Sequence, residues 1–271
     1  MNRPLVSVII PTFNRAKVVK RAVSSVLEQS FQDFECIVID DGSVDETKSV
    51  LQEFSNKIRA IKTDNRGAAA ARNIGAAESK GTFIAFLDSD DEWKKEKLAK
   101  QISYMQEAGF RISQTDETWV RNGKFVNKPK KYIRPCGDIF YNCLEVCAVT
   151  PSSVFMEKEL FFEYGGFDES FPVCEDYDLW LRMSLKERFG LIDEPLIIKY
   201  GGENDQLSNS VCLDKYRIIS LFNMLNKNLE LSAEQEKALR EVLAKKVKIY
   251  SEGAKKRGKS DEASWAEGLL K

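Results

Sequence analysis

The chain up to Leu87 alternates short apolar strands with longer helical segments, and this alternation restricts the fold more than any other feature of the sequence. Runs of about five residues are rich in β-branched and aromatic side chains, and the segments between them repeat apolar residues with the helical period. The predicted strands are 6–10, 35–39, 58–62 and 82–87, and the predicted helices are 16–29, 45–54 and 68–79. This order predicts a parallel β-sheet covered by helices on both faces.

Beyond Trp93 the pattern becomes mixed. Alternating residues around Asn122-Gly123 predict a β-hairpin, a short strand is predicted at 196–200, and every periodic segment after Leu213 is helical. We therefore predict an α/β fold with a mixed, mostly parallel sheet and a helical C-terminal appendage. The predicted domains are 1–205, which divides into halves at 1–105 and 106–205, and the appendage at 206–271.

Histidine is absent from all 271 residues, and this limits the chemistry that the chain can perform. Imidazole-dependent triads and histidine-ligated metal sites are excluded, so acid–base work falls to carboxylates, lysine, tyrosine or cysteine. With 41 basic and 42 acidic residues, the net charge of −1 gives no general attraction to nucleic acid. No signal-like or membrane-spanning apolar run occurs, which predicts a cytoplasmic protein.

Polar side chains follow the first two predicted strands. Ligands bind outside the carboxyl ends of the strands in such sheets, so these residues are candidates for a binding site. The first strand leads into Pro11, Thr12, Phe13 and Asn14, and the second leads into Asp41. A carboxylate can accept a hydrogen bond from a nucleobase or a ribose, and the ring of Phe13 can stack on a base. The alternative for Asp41 is an ordinary Asp-Gly turn.

Three aspartates follow the fourth predicted strand and indicate a metal site. Asp88, Ser89, Asp90 and Asp91 come directly after an apolar run, where like charges repel strongly unless a cation neutralises them. Oxygen ligands without histidine favour Mg²⁺ or Mn²⁺, held by one or two carboxylates together with the phosphates of a ligand. The alternative is an acidic cluster at a helix N-terminus.

Two further polar residues lie at predicted helix starts. Arg72 follows a run of alanines that allows close approach, and its guanidinium is suited to a diphosphate, although an arginine on a helix can equally be solvated. Asp176 opens a helix whose Leu179, Trp180 and Met183 can face the core. A capping carboxylate is the alternative interpretation of Asp176.

Together, five motifs resemble those of family 2 glycosyltransferases in both order and spacing. They are VSVIIPTFN at 6–14, VIDDGS at 38–43, RGAAAARN at 66–73, FLDSDD at 86–91 and EDYDLWLR at 175–182. The resemblance covers roughly residues 4–208. One such motif carries little information, but five in succession are specific.

This resemblance implies a GT-A fold, a nucleotide-sugar donor with UDP as the expected nucleotide, a Mn²⁺ or Mg²⁺ ion, and inversion at the anomeric carbon. The expected donor-binding residues are Pro11, Thr12, Phe13, Asn14, Asp41, Arg72, Asp88 and Ser89. Asp88 and Asp90 match the Asp-x-Asp metal motif, and Asp176 matches the catalytic base. Relatives often carry a histidine where this chain has Asn204, so any contact of that imidazole must be replaced or lost.

The predicted function is therefore transfer of a single sugar to a hydroxyl of a glycan or lipid-linked acceptor, as in cell-surface polysaccharide biosynthesis. The Gln-x-x-Arg-Trp motif and membrane helices of processive synthases are missing, which favours one transfer per encounter. Two alternatives remain open. One is a catalytically silent nucleotide-sugar-binding or scaffold domain, and the other is a sugar-1-phosphate nucleotidyltransferase, whose Gly-rich phosphate loop is not found here.

The C-terminal region is rich in cations. They are Arg240, Lys245, Lys246, Lys248, Lys255, Lys256, Arg257 and Lys259. A basic amphipathic helix can rest on anionic lipid, which predicts peripheral contact with the inner face of the membrane. The alternative is a solvated face on a helix that packs against the catalytic domain.

Overall fold

One mixed β-sheet organises the chain in the computed structural model, which describes residues 3–129, 132–201, 213–227 and 229–270. Within these ranges the sheet has nine strands, in the order β3-β2-β1-β4-β8-β6-β9-β5, with β7 paired to β6. The strands are β1 (Val6–Thr12), β2 (Phe34–Asp40), β3 (Arg59–Lys62), β4 (Phe83–Phe86), β5 (Glu92–Trp93), β6 (Ile112–Arg121), β7 (Lys124–Val126), β8 (Phe155–Glu157) and β9 (Phe189–Gly201). The longer strand pairs are parallel, which confirms the predicted sheet type.

The first half of the sheet follows the predicted alternation. Strands β3, β2, β1 and β4 are parallel, and α1 (Val19–Leu27), α2 (Thr47–Gln52) and α3 (Ala68–Glu78) connect them. Strand β1 lies between β2 and β4. The chain adds β2 and β3 on one side of β1 and then β4 on the other, and sheets of this kind bind ligands where the order of the strands changes side. Helix α3 packs closely here, because a Cβ atom on Gly75 would lie only 2.4 Å from Cγ2 of Ile9.

Strand β1 is longer than the apolar run predicted. The sequence places its end at Pro11, but Pro11 pairs with Ile39 and the strand continues to Thr12, whose carbonyl accepts a hydrogen bond from the Asp41 amide at 2.8 Å. Proline removes only one backbone donor, and the register survives because the neighbouring residues still pair.

The second half of the sheet contains antiparallel pairs beside the parallel pair β6–β9. The helices of this half are α4 (Lys97–Ala108), α5 (Phe140–Glu145), α6 (Lys158–Glu163) and α7 (Glu175–Met183). The predicted hairpin is present: β6 and β7 join through Asn122 and Gly123, whose φ angles of 49° and 73° suit a tight turn. Strand β9 is much longer than the predicted 196–200 segment, because its backbone pairs with β6 on both sides of a register shift, and the exposed Asp193 and Glu194 are left unpaired within that shift.

Three helices complete the described chain: α8 (Leu213–Asn226), α9 (Ala233–Lys256) and α10 (Ser260–Gly268). Their apolar residues, including Leu221 and Leu243, belong to the same buried cluster as Trp180 of α7. The predicted boundary at 205/206 and the residue Asn204 lie outside the described residues. The division into catalytic domain and appendage therefore stays a prediction.

Most cations of the C-terminal region have carboxylate or carbonyl partners. Lys245 and Lys246 donate to Glu145, at 3.2 Å to its Oε1 and 2.8 Å to its backbone oxygen, and Lys255 pairs with Glu267 at 2.7 Å. These contacts agree with a helix that packs on the rest of the chain. None of the helices in the described ranges is long and apolar enough to cross a membrane.

Candidate functional site

A cavity of about 810 Å³ opens at the carboxyl ends of β1, β2 and β4. The ten residues predicted to bind the donor, hold the metal or act as the base line it: Pro11, Thr12, Phe13, Asn14, Asp41, Arg72, Asp88, Ser89, Asp90 and Asp176. They come from five separate segments of the chain. Parallel strands bring their carboxyl ends to one edge, which explains why these segments meet. The role of each residue stays a prediction.

The loops after β1 and β2 hold each other in place at the mouth of the cavity. Asn14 adopts a left-handed backbone conformation with φ of 52°. Its amide donates to Ser43 Oγ at 2.9 Å, and its Oδ1 accepts from the Val44 amide at 2.9 Å. The neighbouring Phe13 ring remains 41% exposed, so its surface is available for stacking against a planar ligand.

Asp41 is buried and connects β2 to the start of α3. Its Oδ1 accepts from the Arg66 amide at 3.0 Å and from Thr63 Oγ1 at 3.2 Å, and its Oδ2 accepts from the Gly67 amide at 2.8 Å. The alternative for Asp41 was a carboxylate that stabilises an Asp-Gly turn. Asp40 makes such a hydrogen bond instead, because its Oδ1 accepts from the Ser43 amide. An ionised carboxylate has about four acceptor positions, so Asp41 keeps acceptor capacity on the cavity wall.

Arg72 is buried and bridges the two halves of the site. Its Nη2 donates to Asp88 Oδ1 and its Nη1 to Glu175 Oε1, both at 2.7 Å, and its guanidinium carbon lies 5.3 Å from the ring centroid of Phe167. Burial favours a raised pKa for Asp88, but the charges of Arg72 and Lys199 outweigh it and hold this pKa below its ordinary value. Arg72 is therefore not a solvated helix residue; it is an internal ion-pair partner.

Lys199 of β9 supplies a second positive charge beside the aspartates. Its Nζ lies 3.5 Å from Asp91 Oδ2, which also accepts from Ser152 Oγ at 2.7 Å. Burial raises the pKa of Asp91 to about 7. The negative charges of Asp90 and Asp88 also raise this pKa, and the positive charge of Lys199 lowers it. The sequence predicted one bound metal cation for this cluster, and the structure adds two cations from the chain itself, Arg72 and Lys199. Lys199 is the charged residue within the predicted apolar strand 196–200, and this position was the sequence signal that could have identified it.

Asp176 lies in the first turn of α7 and lines the same cavity. Its Oδ2 accepts a weak hydrogen bond from the Cys147 thiol, with an Sγ–Oδ2 distance of 3.3 Å. The adjacent Glu175 points to Arg72 instead, so the two neighbouring carboxylates have different partners. Sequence reasoning did not select Cys147, because its contact with Asp176 spans 29 residues.

The second half of the sheet contributes a buried polar network to the cavity wall. Glu117 Oε1 lies 2.6 Å from Arg134 Nη2 and accepts from Trp119 Nε1 at 2.6 Å, and its Oε2 accepts from Thr150 Oγ1 at 2.9 Å. Burial favours a raised pKa for Glu117, but the charges of Arg134 and Lys199 and the hydrogen bonds lower it to about 2.

Acid should weaken the fold through Glu117. Because its folded-state pKa of about 2 lies below its ordinary value of 4.5, the ionised group stabilises the fold above pH 4.5, and this contribution is lost as the pH falls from 4.5 towards 2. We expect the unfolding free energy to fall by about 2 kcal/mol more between pH 6 and pH 3 in the parent chain than in Glu117→Gln. Urea titrations at each pH measure this difference.

Glu163→Gln is the matched control for the pH experiment. Glu163 pairs with Arg111 at 2.7 Å, but its side chain is 50% exposed, so water screens the pair. This variant should keep the acid dependence of the parent chain. Equal acid dependence in the parent and Glu117→Gln would contradict the assignment.

The family model for glycosyl transferase family 2 matches residues 7–154. A putative teichuronic acid biosynthesis glycosyltransferase from Bacillus subtilis is 39% identical over 137 residues, 47% of this chain and 54% of the relative. A UDP-Glc:alpha-D-GlcNAc-diphosphoundecaprenol beta-1,3-glucosyltransferase from Escherichia coli is 34% identical over 183 residues, 67% of this chain and 70% of the relative.

An uncharacterized glycosyltransferase from Rickettsia felis is 35% identical over 199 residues, 70% of this chain and 32% of the relative. The chain spans about a third of the length of the first Rickettsia relatives that it matches. It is thus similar to a part of those longer proteins.

Two solved structures share the fold. Staphylococcus aureus TarS 1–349 in complex with UDP-GlcNAc aligns with a TM-score of 0.73 and 22% identity over 88% of this chain and 71% of the 1–349 chain. A mannosyltransferase from Pyrobaculum calidifontis in complex with GDP-Man and Mn²⁺ aligns with a TM-score of 0.63 and 15% identity over 100% of this chain and 86% of that protein. The predicted GT-A fold is confirmed by these alignments.

Proposed function

This chain belongs to glycosyl transferase family 2, and from that premise we propose that it transfers a single sugar from a nucleotide-sugar donor to a hydroxyl of a glycan or lipid-linked acceptor, with inversion at the anomeric carbon. The observation that carries the proposal is the convergence of ten residues from five motifs on one cavity. Chemistry of this kind needs a nucleoside pocket, a site for the diphosphate and a base, and the cavity wall offers side chains for each.

The donor proposal is a UDP-sugar. Phe13 and Asp41 lie at the mouth of the cavity, and they offer an exposed aromatic ring and a buried carboxylate for the base and ribose of a nucleoside. The relative from E. coli is named for UDP-Glc, and TarS was solved with UDP-GlcNAc, which supports uridine over guanosine. One relative is named for teichuronic acid biosynthesis and the other for a diphosphoundecaprenol-linked sugar, so we extend a glycan or lipid-linked acceptor, as in cell-surface polysaccharide biosynthesis, to this chain.

A divalent cation, Mn²⁺ or Mg²⁺, fits the side chains beside the proposed diphosphate site. Among the described residues no group of three acidic or cysteine side chains could hold an ion alone. Asp88 and Asp90 both line the cavity, however, and such ions are commonly held by one or two carboxylates together with phosphate oxygens. When bound, the cation would neutralise negative charge on the departing nucleoside diphosphate. Asp88 and Asp90 would be its ligands.

The chain's own residues account for the other requirements of the reaction. Asp176 removes the proton from the acceptor hydroxyl as that oxygen attacks the anomeric carbon, and the bond to the diphosphate breaks on the opposite face. Arg72 binds both Asp88 and Glu175, the first residue of α7. This bridge fixes the position of Asp176 in α7 relative to Asp88, and so relative to the donor phosphates.

Binding of the donor is the first test of this proposal. We expect UDP-sugars with Mn²⁺ or Mg²⁺ to raise the melting temperature by about 5 °C at 100 times the dissociation constant, because ligand binding adds about 2.7 kcal/mol of stability. GDP- and dTDP-sugars form the comparison panel, and sugar phosphates without a nucleoside are the control. Stabilisation by no nucleotide sugar, with or without metal, would contradict the proposal.

The two alternative functions make different predictions in this experiment. A sugar-1-phosphate nucleotidyltransferase would be stabilised by a sugar phosphate together with a nucleoside triphosphate, and membership of family 2 does not favour it. A silent binding domain would respond to the donor but would release no UDP in the presence of any acceptor.

A further inference from the structure

The hairpin β6–β7 and the segment after it carry an unusual concentration of positive charge. Residues 121–134 contain six lysines and arginines and no aspartate or glutamate, in a chain whose overall charge is −1. Among the described residues of this segment, Arg121 and Tyr132 line the cavity, so the hairpin lies at its rim. Arg121 and its partner across the hairpin, Lys124, are therefore close to the site entrance.

Of the four cations of this segment that lie in the described ranges, two are neutralised within the chain and two are not. Lys128 pairs with Asp116, and Arg134 pairs with Glu117. Arg121 and Lys124 face each other directly across the hairpin, and neither forms an ion pair with any residue that the structure describes. Like charges directly opposite on paired strands are destabilising, so an anion between or beside them would relieve the repulsion.

Apolar side chains are exposed beside these cations. Phe125 follows Lys124 in β7 and is 77% exposed, and Ile133 is 68% exposed. Ile133 is held near the hairpin because the ring of Tyr132 packs against that of Trp119, with centroids 5.4 Å apart. We call Arg121, Lys124, Phe125 and Ile133 the hairpin surface. Exposed aromatic and aliphatic residues beside cations are typical of surfaces that bind the interface of anionic membranes.

We propose that the hairpin surface docks on an anionic phospholipid bilayer and thereby brings the mouth of the cavity to the membrane. Lys124 and Arg121 would contact lipid phosphates, and Phe125 and Ile133 would enter the headgroup region. The basic helix α9 is the weaker candidate, since Lys245 and its neighbour already bind Glu145. Binding to lipid needs neither donor nor transfer, so this proposal stands or falls separately from the proposed function.

Vesicle co-sedimentation tests the proposal on the full chain. We expect binding to vesicles of phosphatidylglycerol and phosphatidylcholine, little binding to pure phosphatidylcholine, and weakening by 0.5 M salt. The double variant Lys124→Glu/Phe125→Ser should partition at least about tenfold less, because it reverses one charge near the surface and removes one apolar anchor. Both side chains are exposed, so the fold should persist, and circular dichroism checks this.

The matched control is Lys248→Glu/Ile249→Ser on α9, which makes the same pair of changes on the basic helix, where Ile249 is 60% exposed. This control should bind vesicles as the parent chain does. The proposal is overturned if the parent chain ignores anionic vesicles, if the hairpin variant binds as well as the parent, or if only the α9 variant loses binding. Unchanged donor binding in the hairpin variant separates lipid docking from the function of the cavity.

Discussion

Replacing Asp176 by asparagine should reduce sugar transfer by about a thousandfold while leaving donor binding intact, because a carboxamide cannot take the proton of the acceptor hydroxyl. The substitution preserves the size of the side chain, and the contact with the Cys147 thiol is weak, so little structural change is expected. Glu175 cannot replace Asp176, since its carboxylate is held by Arg72. Release of UDP in the presence of acceptor measures transfer, and calorimetry measures donor affinity.

Asp193→Asn is the control for this experiment. It makes the same chemical change on an exposed residue of β9 that does not line the cavity, and its transfer rate should equal that of the parent chain. Transfer by Asp176→Asn at the parent rate would remove Asp176 from the role of base. A parent chain that binds donor without transferring it would favour the silent binding domain.

Arg72→Met should lower the unfolding free energy by about 3–5 kcal/mol at neutral pH. The substitution removes the cation between Asp88 and Glu175 and leaves both carboxylates inside the protein without their partner. The Arg72 side chain is only 6% exposed, that of Glu175 only 7% and that of Asp88 23%, so water compensates for little of the loss. Burial already raises the pKa of Glu175 despite the nearby guanidinium, which indicates how costly its charge is there.

Arg59→Met provides the comparison for Arg72→Met. Arg59 pairs with Glu78 on the surface, where both side chains are more than 40% exposed, and such pairs contribute less than about 1 kcal/mol. Chemical denaturation of both variants measures the difference. If Arg72→Met loses no more stability than Arg59→Met, the ion-pair bridge is not structurally important. The double variant Arg72→Met/Glu175→Gln should recover part of the loss, because one of the stranded charges is then gone.

Local sequence patterns predicted the first half of the molecule well. Strands β1 to β4 and the helices between them follow from the alternation of apolar runs and helical periods, which reflect interactions between near neighbours along the chain. Motif residues such as Phe13, Asp41 and Asp88 follow strand ends, and a parallel sheet necessarily brings those ends together. Their convergence on one cavity was therefore predictable, although the contacts of each residue were not.

The second half was harder to predict because its pairings are long-range. Strand β9 continues through charged residues that interrupt the apolar pattern, since backbone pairing with β6 holds it in the sheet. Lys199 contacts Asp91 across 108 positions, and Arg72 contacts Glu175 across 103. No local pattern records such a partner, so the interpretation of Arg72 as solvated or phosphate-binding did not include the bridge.

The sequence by itself determined the layered α/β architecture, the place of the candidate site at the strand ends and the exclusion of imidazole from its chemistry, because strand and helix periods and the absence of histidine are properties of the chain alone. Only the tertiary structure decided which charges neutralise one another. Arg72 and Lys199 reach the aspartates of β4 from α3 and β9, and an ion pair depends on distance and burial in space, which sequence separation does not specify.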